Sequence, residues 1–327
     1  MTKDLTNKPS LQNIASQSIK KIIAIISLIA MLMITLLYSD EISHSVRSGL
    51  SLCASVIIPS VFPFIIISEL LVFVVDFGSL KRAGLLFEKF FKINRAGLCA
   101  FILGLLCGFP LGVKSATELY KAGLISKDEA ERLIGFSNNT GPAFLISGIG
   151  IGLRGSITDG LILYISMIIA AVAVGIIFSK NAPQTIYDNN NPPFSVRDFS
   201  LTKSIRSAGL NTLYICSYLT FFACFCGILR KLIGECIPYL LIIPFLEVGS
   251  STSILSKTKL LSECLSLTLS SFAISFSGIS VHLQAMSFIN ETDLHTKRYF
   301  IMKLMQGFIS ATLTYLIYTL IYLFGLF

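Results

Sequence analysis

Long apolar runs separated by short polar stretches make up most of this chain, and within each run the apolar residues are continuous rather than alternating. "IIAIISLIAMLMITLLY" (22–38) is the first run, and others follow at 49–75, from Ala96 into "GFPLGVK" (108–114), and at 160–179, 209–229, 260–281 and 299–327. A helix needs roughly 20 residues to cross a bilayer. Continuous runs of that length predict spanning helices, and they argue against the two-residue period of a membrane β-barrel. "SDEISHS" after the first run offers no small-residue cleavage site, which predicts a retained helix with its N-terminus in the cytoplasm.

The interruptions are as informative as the runs. Pro59 and Pro63 in "PSVFPF" each lack an N–H and predict kinks in the second span. "SATELYKAGLISKDEAERLIGF" (115–136) is amphipathic, carries Ser126 and Glu129 at the spacing of a capping box, and predicts a helix lying at the interface. "CIPYLLIIPFLEVGSSTSI" (236–254) is a shorter run, broken at Pro244 and Gly249. Whether it crosses or re-enters decides whether the two halves run parallel or inverted.

The fold class expected is an all-α polytopic membrane protein of about seven to nine helical segments, built as two related halves with broken or re-entrant helices. The expected organisation is a tail and first transmembrane helix (1–48), a first transport repeat (49–179), a polar linker containing "NNNPPFS" (180–207) and a second repeat (208–327). Residues 107–133 can be laid on 277–304, so that Gly108 meets Gly278 and Lys114 meets Gln284. Paired breaks in two halves point to a transport site.

Composition agrees. Of 327 residues, 54% are hydrophobic and 13% charged, against about 25% charged in soluble domains. The mean hydropathy is +0.77. The net charge of +8 sits in loops between spans, as the positive-inside rule describes, so it points to cytoplasmic loops and not to nucleic acid. The loop holding Lys81, Arg82, Lys89, Lys92 and Arg95 is placed in the cytoplasm on the same ground. Most of the eight cysteines lie in or beside apolar segments and read as small hydrophobes rather than a disulfide framework. "CFC" (224–226) lacks zinc or thioredoxin spacing, and three histidines are too few for a metal cluster, so no metal or cofactor is expected. No nucleophile elbow, HExxH or P-loop is present, and the chain is read as a non-enzyme.

Candidate chemistry gathers at the breaks. Non-helical backbone at membrane depth persists only where protein or water satisfies its polar groups. In "GFSNNTGPAFL", Asn138, Asn139 and Thr140 offer neutral donors and acceptors, Gly141 permits unusual φ, and Pro142 suits the first turn of a helix whose N-terminus favours an anion. An ordinary extramembrane turn would use the same residue types. Lys114, just after "GFPLGV", can hold a carboxylate or simply snorkel. Glu69 and Glu247 are carboxylates inside apolar runs, where insertion costs about 2.5–3.5 kcal/mol, which makes each a functional candidate. His282 and Gln284 in "FSGISVHLQ" complete the set of substrate-contact candidates.

"GFPLGVKSATELYKAGLISKDEAERLIGFSNNTGPAFL", "IPSVFPFIIISELL", "LEVGSS" and "SGISVHLQ" together resemble the sporulation integral membrane proteins of the YlbJ type, also called SpoVV, which belong with the nucleoside-recognition Gate membrane domains. The resemblance covers nearly the whole chain after residue 45. Where the usual second-half motif is closer to "FGGLSVHAQ", this chain has Ser277 and Ile279. The resemblance implies transport of dipicolinic acid across the outer forespore membrane of a spore-forming bacterium. The partners implied are a small anionic substrate, the bilayer, and either further copies of the chain or other sporulation membrane proteins. A nucleoside carrier and a non-transporting scaffold remain the alternatives.

Overall fold

A computed structural model describes residues 11–74, 81–183 and 200–323, with the side chain of Glu69 outside that set. The described chain is helical throughout. Helix α1 (Leu11–Leu37) leads into α2 (Ser39–Leu52), which continues through a π-helical turn at Cys53–Ile57 into α3 (Ile58–Val74). The wide turn lies just before Pro59, whose missing N–H cannot complete an ordinary α-turn. Neither Pro59 nor Pro63 ends the helix.

Helices α4 (Lys81–Phe91), α5 (Ala96–Leu106), α6 (Leu111–Lys121) and α7 (Lys127–Ser137) follow, then a π-helical segment α8 (Ala143–Leu153) and the long α9 (Ile157–Ser179). The second half holds α10 (Leu201–Ile233), α11 (Ile237–Leu246), α12 (Val248–Lys257), α13 (Glu263–Phe276), α14 (Gly278–Ile289) and α15 (Lys297–Leu323). Among the described residues, five helical stretches are long and apolar enough to cross a membrane: Ser39–Ser68, Ile157–Ser179, Leu201–Ile233, Glu263–Ile289 and Lys297–Ile321.

The expected span from Ala96 is the first surprise. Helix α5 has only 11 residues, about 16 Å of rise, and the chain then folds back through 107–110 into α6. A methyl group added at Gly104 would stand 3.1 Å from Gly112 Cα and collide with the Ser137 carbonyl. Two glycines thus bring α5, α6 and the end of α7 into backbone contact. The stretch expected at the interface instead packs into the bundle as α6 and α7, with only its middle around Lys121–Gly123 exposed at one end. The Ser126–Glu129 capping box does form.

The loops identify two ends of the bundle. At the near end, Lys121 pairs with Glu291 at 2.6 Å, Lys127 with Asp293 at 2.8 Å, and Arg298 with Asp128 at 2.7 Å. Lys92 Nζ donates to the Lys180 carbonyl at 2.8 Å, and buried Arg132 donates to Phe91 O, Lys92 O and Ser179 Oγ. At the far end, Arg154 pairs with Asp159 at 2.6 Å and Glu263 at 2.9 Å, and Arg230 with Glu41 at 3.4 Å.

These contacts give the direction of the segments from α2–α3 onward, α4 apart. Helices α2–α3 run from far to near. The α5–α6 hairpin enters from the near end and returns there. The α7–α8 segment crosses from near to far, and α9 comes back. In the second half, α10 runs from near to far, antiparallel to α2, with a Cβ at Gly49 falling 3.1 Å from Thr220 Cα. Tyr239 and Lys257 line one far-end cavity, and Leu255 clusters with Tyr239 and Leu240, so α11–α12 is a hairpin from the far end. Helices α13–α14 then cross from far to near, and α15 returns.

Each half is therefore a long helix, a half-length hairpin, a broken crossing helix and a long helix, and the second half is inverted relative to the first. The hairpin tip at 107–110 corresponds to the tip at Glu247, and the break at 138–142 corresponds to Ser277. The overlay of 107–133 on 277–304 instead matched a hairpin to a crossing helix. Both segments pass from an apolar helix through a glycine-containing break to a polar stretch, which is why they look alike in sequence. The 236–254 run breaks at Glu247, whose backbone is extended (φ −153°, ψ 136°), while Pro244 and Gly249 stay helical.

Candidate functional site

The four breaks converge. Gly108 has φ +81°, and a Cβ there would fall 2.8 Å from the Gly141 nitrogen. The first hairpin tip thus rests on the first crossing break, and only glycine tolerates both the φ and the approach. In the second half a Cβ at Gly278 (φ +60°) would lie 3.2 Å from the Glu247 nitrogen and the Leu246 carbonyl. The halves meet where Thr140 Oγ1 donates to Ile274 O at 3.5 Å.

Between the tips lies a cavity with about 40 Å³ of space for water-sized molecules, lined by Gly108, Phe109, Thr140, Gly141, Glu247 and Gln284 among others. Glu247 is 4% exposed. Its carboxylate caps α12, accepting from Gly249 N at 2.8 Å and from Ser250 N, and it forms no ion pair among the described residues. Four helices, α6, α8, α12 and α14, begin at these breaks, so four N-terminal dipole ends gather around the middle of the protein.

Asn138 to Gly141 are non-helical and buried, while Phe136 and Ser137 still belong to α7. The asparagines face α15, not the cavity. Asn138 Nδ2 donates to Tyr299 Oη at 3.0 Å, which also bonds His282 Nδ1 at 3.0 Å. Gln306 Nε2 donates to Asn139 Oδ1 at 2.8 Å, and Asn139 Nδ2 donates to Phe136 O at 2.7 Å. Lys303, fully buried, donates to the Asn138 carbonyl and to Gln306 Oε1, each at 2.8 Å. The orphan carbonyl left by the break is thereby satisfied by a cation. Some polar atoms here remain without a protein partner: Asn138 Oδ1, His282 Nε2, Gln284 Oε1, Ser275 Oγ and Ser280 Oγ. Buried polar groups need a partner, and these can serve water or a ligand.

Of the candidates from sequence, Thr140, Gly141, Glu247 and Gln284 line the cavity, and Asn138, Asn139 and His282 form the layer behind it. Lys114 is half-buried in α6 and does not line the cavity. Glu69 falls in α3, and its side chain lies outside the described residues. Lys303, Gln306 and Tyr299 were not anticipated. The signal was present: "YFIMKLMQGF" places a lysine inside an apolar run, the same criterion that singled out Glu69 and Glu247.

No family model matches the chain. No solved structure matches it either. Among curated proteins, the sporulation integral membrane protein YlbJ of Bacillus subtilis (strain 168) is 27% identical over 321 residues, covering 84% of this chain and 77% of that protein. An all-helical architecture with several helices long and apolar enough to cross a membrane, together with this likeness over most of both chains, makes the chain similar to the YlbJ sporulation integral membrane protein.

Proposed function

We propose that this protein is a membrane transporter for a small anionic solute, most specifically dipicolinic acid carried across the outer forespore membrane during sporulation. In this reading both hairpins are re-entrant, the substrate passes the cavity at their tips, and the chain performs no catalysis. One observation carries the proposal: two half-length hairpins from opposite ends meet two buried helix breaks around a mostly apolar cavity into which Thr140, Glu247 and Gln284 bring polar groups. Inverted repeats with discontinuous helices at the midplane are how secondary transporters build alternating access.

The four helix N-termini favour a negative charge, and Lys303 adds a buried positive one. Space of about 40 Å³ holds only a few waters. The structure is thus an occluded form in this reading, and the tips must part to admit an aromatic dicarboxylate. Glu247 faces the same cavity, so an anion enters with that carboxylate protonated or with a cation beside it. Glu247→Gln should then reduce transport more than folding. Normal yield with normal activity counts against the role.

The neutral character of the rest of the lining favours a second reading. Thr140 and Gln284 are nonionic, and Lys114 stands outside the cavity, which suits a nucleoside. Dipicolinate uptake into proteoliposomes, with and without the protein, tests the first reading. Competition by nucleosides separates the two. No uptake above the protein-free background overturns the dipicolinate assignment.

A further inference from the structure

The roomier cavity is at the far end, not the centre. It measures about 380 Å³, within the size range of small-molecule sites. Helices of both halves enclose it: α2 contributes His44 and Ser48, α10 contributes Arg230, and the second hairpin contributes Ser250 and Lys257. No carboxylate lines it. Arg230 shares its charge with Glu41 at 3.4 Å, while Lys257 makes no ion pair among the described residues. The walls are rich in serine hydroxyls, which donate to carboxylate oxygens. Ser250 connects this space to the centre, because its backbone N–H caps Glu247, and Glu247 lines the central cavity.

We propose that this cavity is an anion vestibule, a second binding site for a small carboxylate held by Lys257, Arg230 and His44 before or after passage through the centre. The inference rests on the transport reading for its biological use, but the site has its own chemistry. Cationic side chains with hydroxyls, where Glu41 competes for Arg230 but no carboxylate pairs with Lys257, form a carboxylate site whether or not the solute crosses. An anionic lipid headgroup offers the same oxygens, and the test separates the two sources.

The protein in phosphatidylcholine nanodiscs is titrated with dipicolinate by calorimetry at two salt concentrations. Wild type should bind with salt-sensitive affinity, Lys257→Gln should weaken binding about tenfold, and Lys257→Arg should restore it. Lys257 is exposed, so the variants should melt as wild type does, and Arg230→Lys, which keeps a cation beside Glu41, gives a second series. Equal affinity in wild type, Lys257→Gln and Arg230→Lys overturns the vestibule. So does Lys257-dependent binding of phosphatidylglycerol with none of dipicolinate. Lys257-dependent binding without dipicolinate uptake leaves the vestibule standing and removes the transport reading. Uptake with Lys257-independent binding does the reverse.

Discussion

The two hairpin tips occupy equivalent positions and are closed by different chemistry. At 107–110 the turn is built from Gly108, Phe109 and Pro110, and its helices are pressed together at Gly104 and Gly112 against the Ser137 carbonyl. No charge is involved. At 246–248 one extended residue makes the turn, and its own carboxylate caps the helix that follows. The first tip is a packing joint, while the second is an ionisable carboxyl group buried beside the cavity. Inverted symmetry of backbone therefore does not bring the same chemistry to the two tips.

The sharpest way to break this comparison is a methyl group on each side. Gly104→Ala should destabilise the protein by about 3 kcal/mol or more, because the new Cβ meets backbone that cannot move aside. Gly249→Ala meets Leu219 Cδ1 at 2.6 Å, the end of a flexible side chain, and should cost under about 1.5 kcal/mol. Thermal unfolding of both in detergent checks the contrast, and similar losses would show the second hairpin to be as tightly jointed as the first.

Lys303→Met removes the donor that satisfies the Asn138 carbonyl and Gln306 Oε1. A loss of about 1–3 kcal/mol is expected from the unpaired groups. Dipicolinate uptake should fall further than stability does, since the cation is the only one fully buried behind the breaks among the described residues. Unfolding and uptake measured on the same preparation separate the effects.

Ser277→Gly should do the opposite. Ser277 holds φ +81°, the left-handed region where a Cβ is unfavourable. The substitution should stabilise the second crossing break by about 1 kcal/mol, seen as a higher melting temperature. The serine noted in sequence as a minor departure from "FGGLSVHAQ" thus occupies a position where glycine has a physical reason to stand.

The smallest effect concerns the near-end loops. Hydrogen bonds from Lys127 and Tyr120 hold the Asp293 carboxyl down to about 2. A depressed acid contributes stability above its unfolded value, about 3.9, and loses it as pH falls toward 2. Stability and uptake should therefore show no dependence on this clasp between pH 5 and 8. Asp293→Asn, assayed across that range, should change the level slightly and leave the shape of the profile unaltered.

The class and most spans were legible because hydropathy acts on every residue of a membrane helix. The breaks at 138–142 and 277 were legible because asparagine, glycine and proline interrupt apolar runs for local reasons. The hairpin of α5 and α6 was not. Its determinants, Gly104 and Gly112, look like any glycines in a membrane helix, and their purpose emerges only when the Ser137 carbonyl arrives from another segment. Lys114 drew notice because it sits beside an obvious break. Lys303 did not, because its partner, the Asn138 carbonyl, is 165 residues away.

The inverted halves carry a consequence of parity. Each repeat traverses the bundle three times and adds one hairpin that returns to its own side, so a copy that begins at one end finishes at the other. A duplicate joined by a connector that stays on that side must then insert upside down, with no instruction beyond its count of crossings. Helix α1 stands outside this arithmetic. Removing it would leave the paired hairpins facing each other as before.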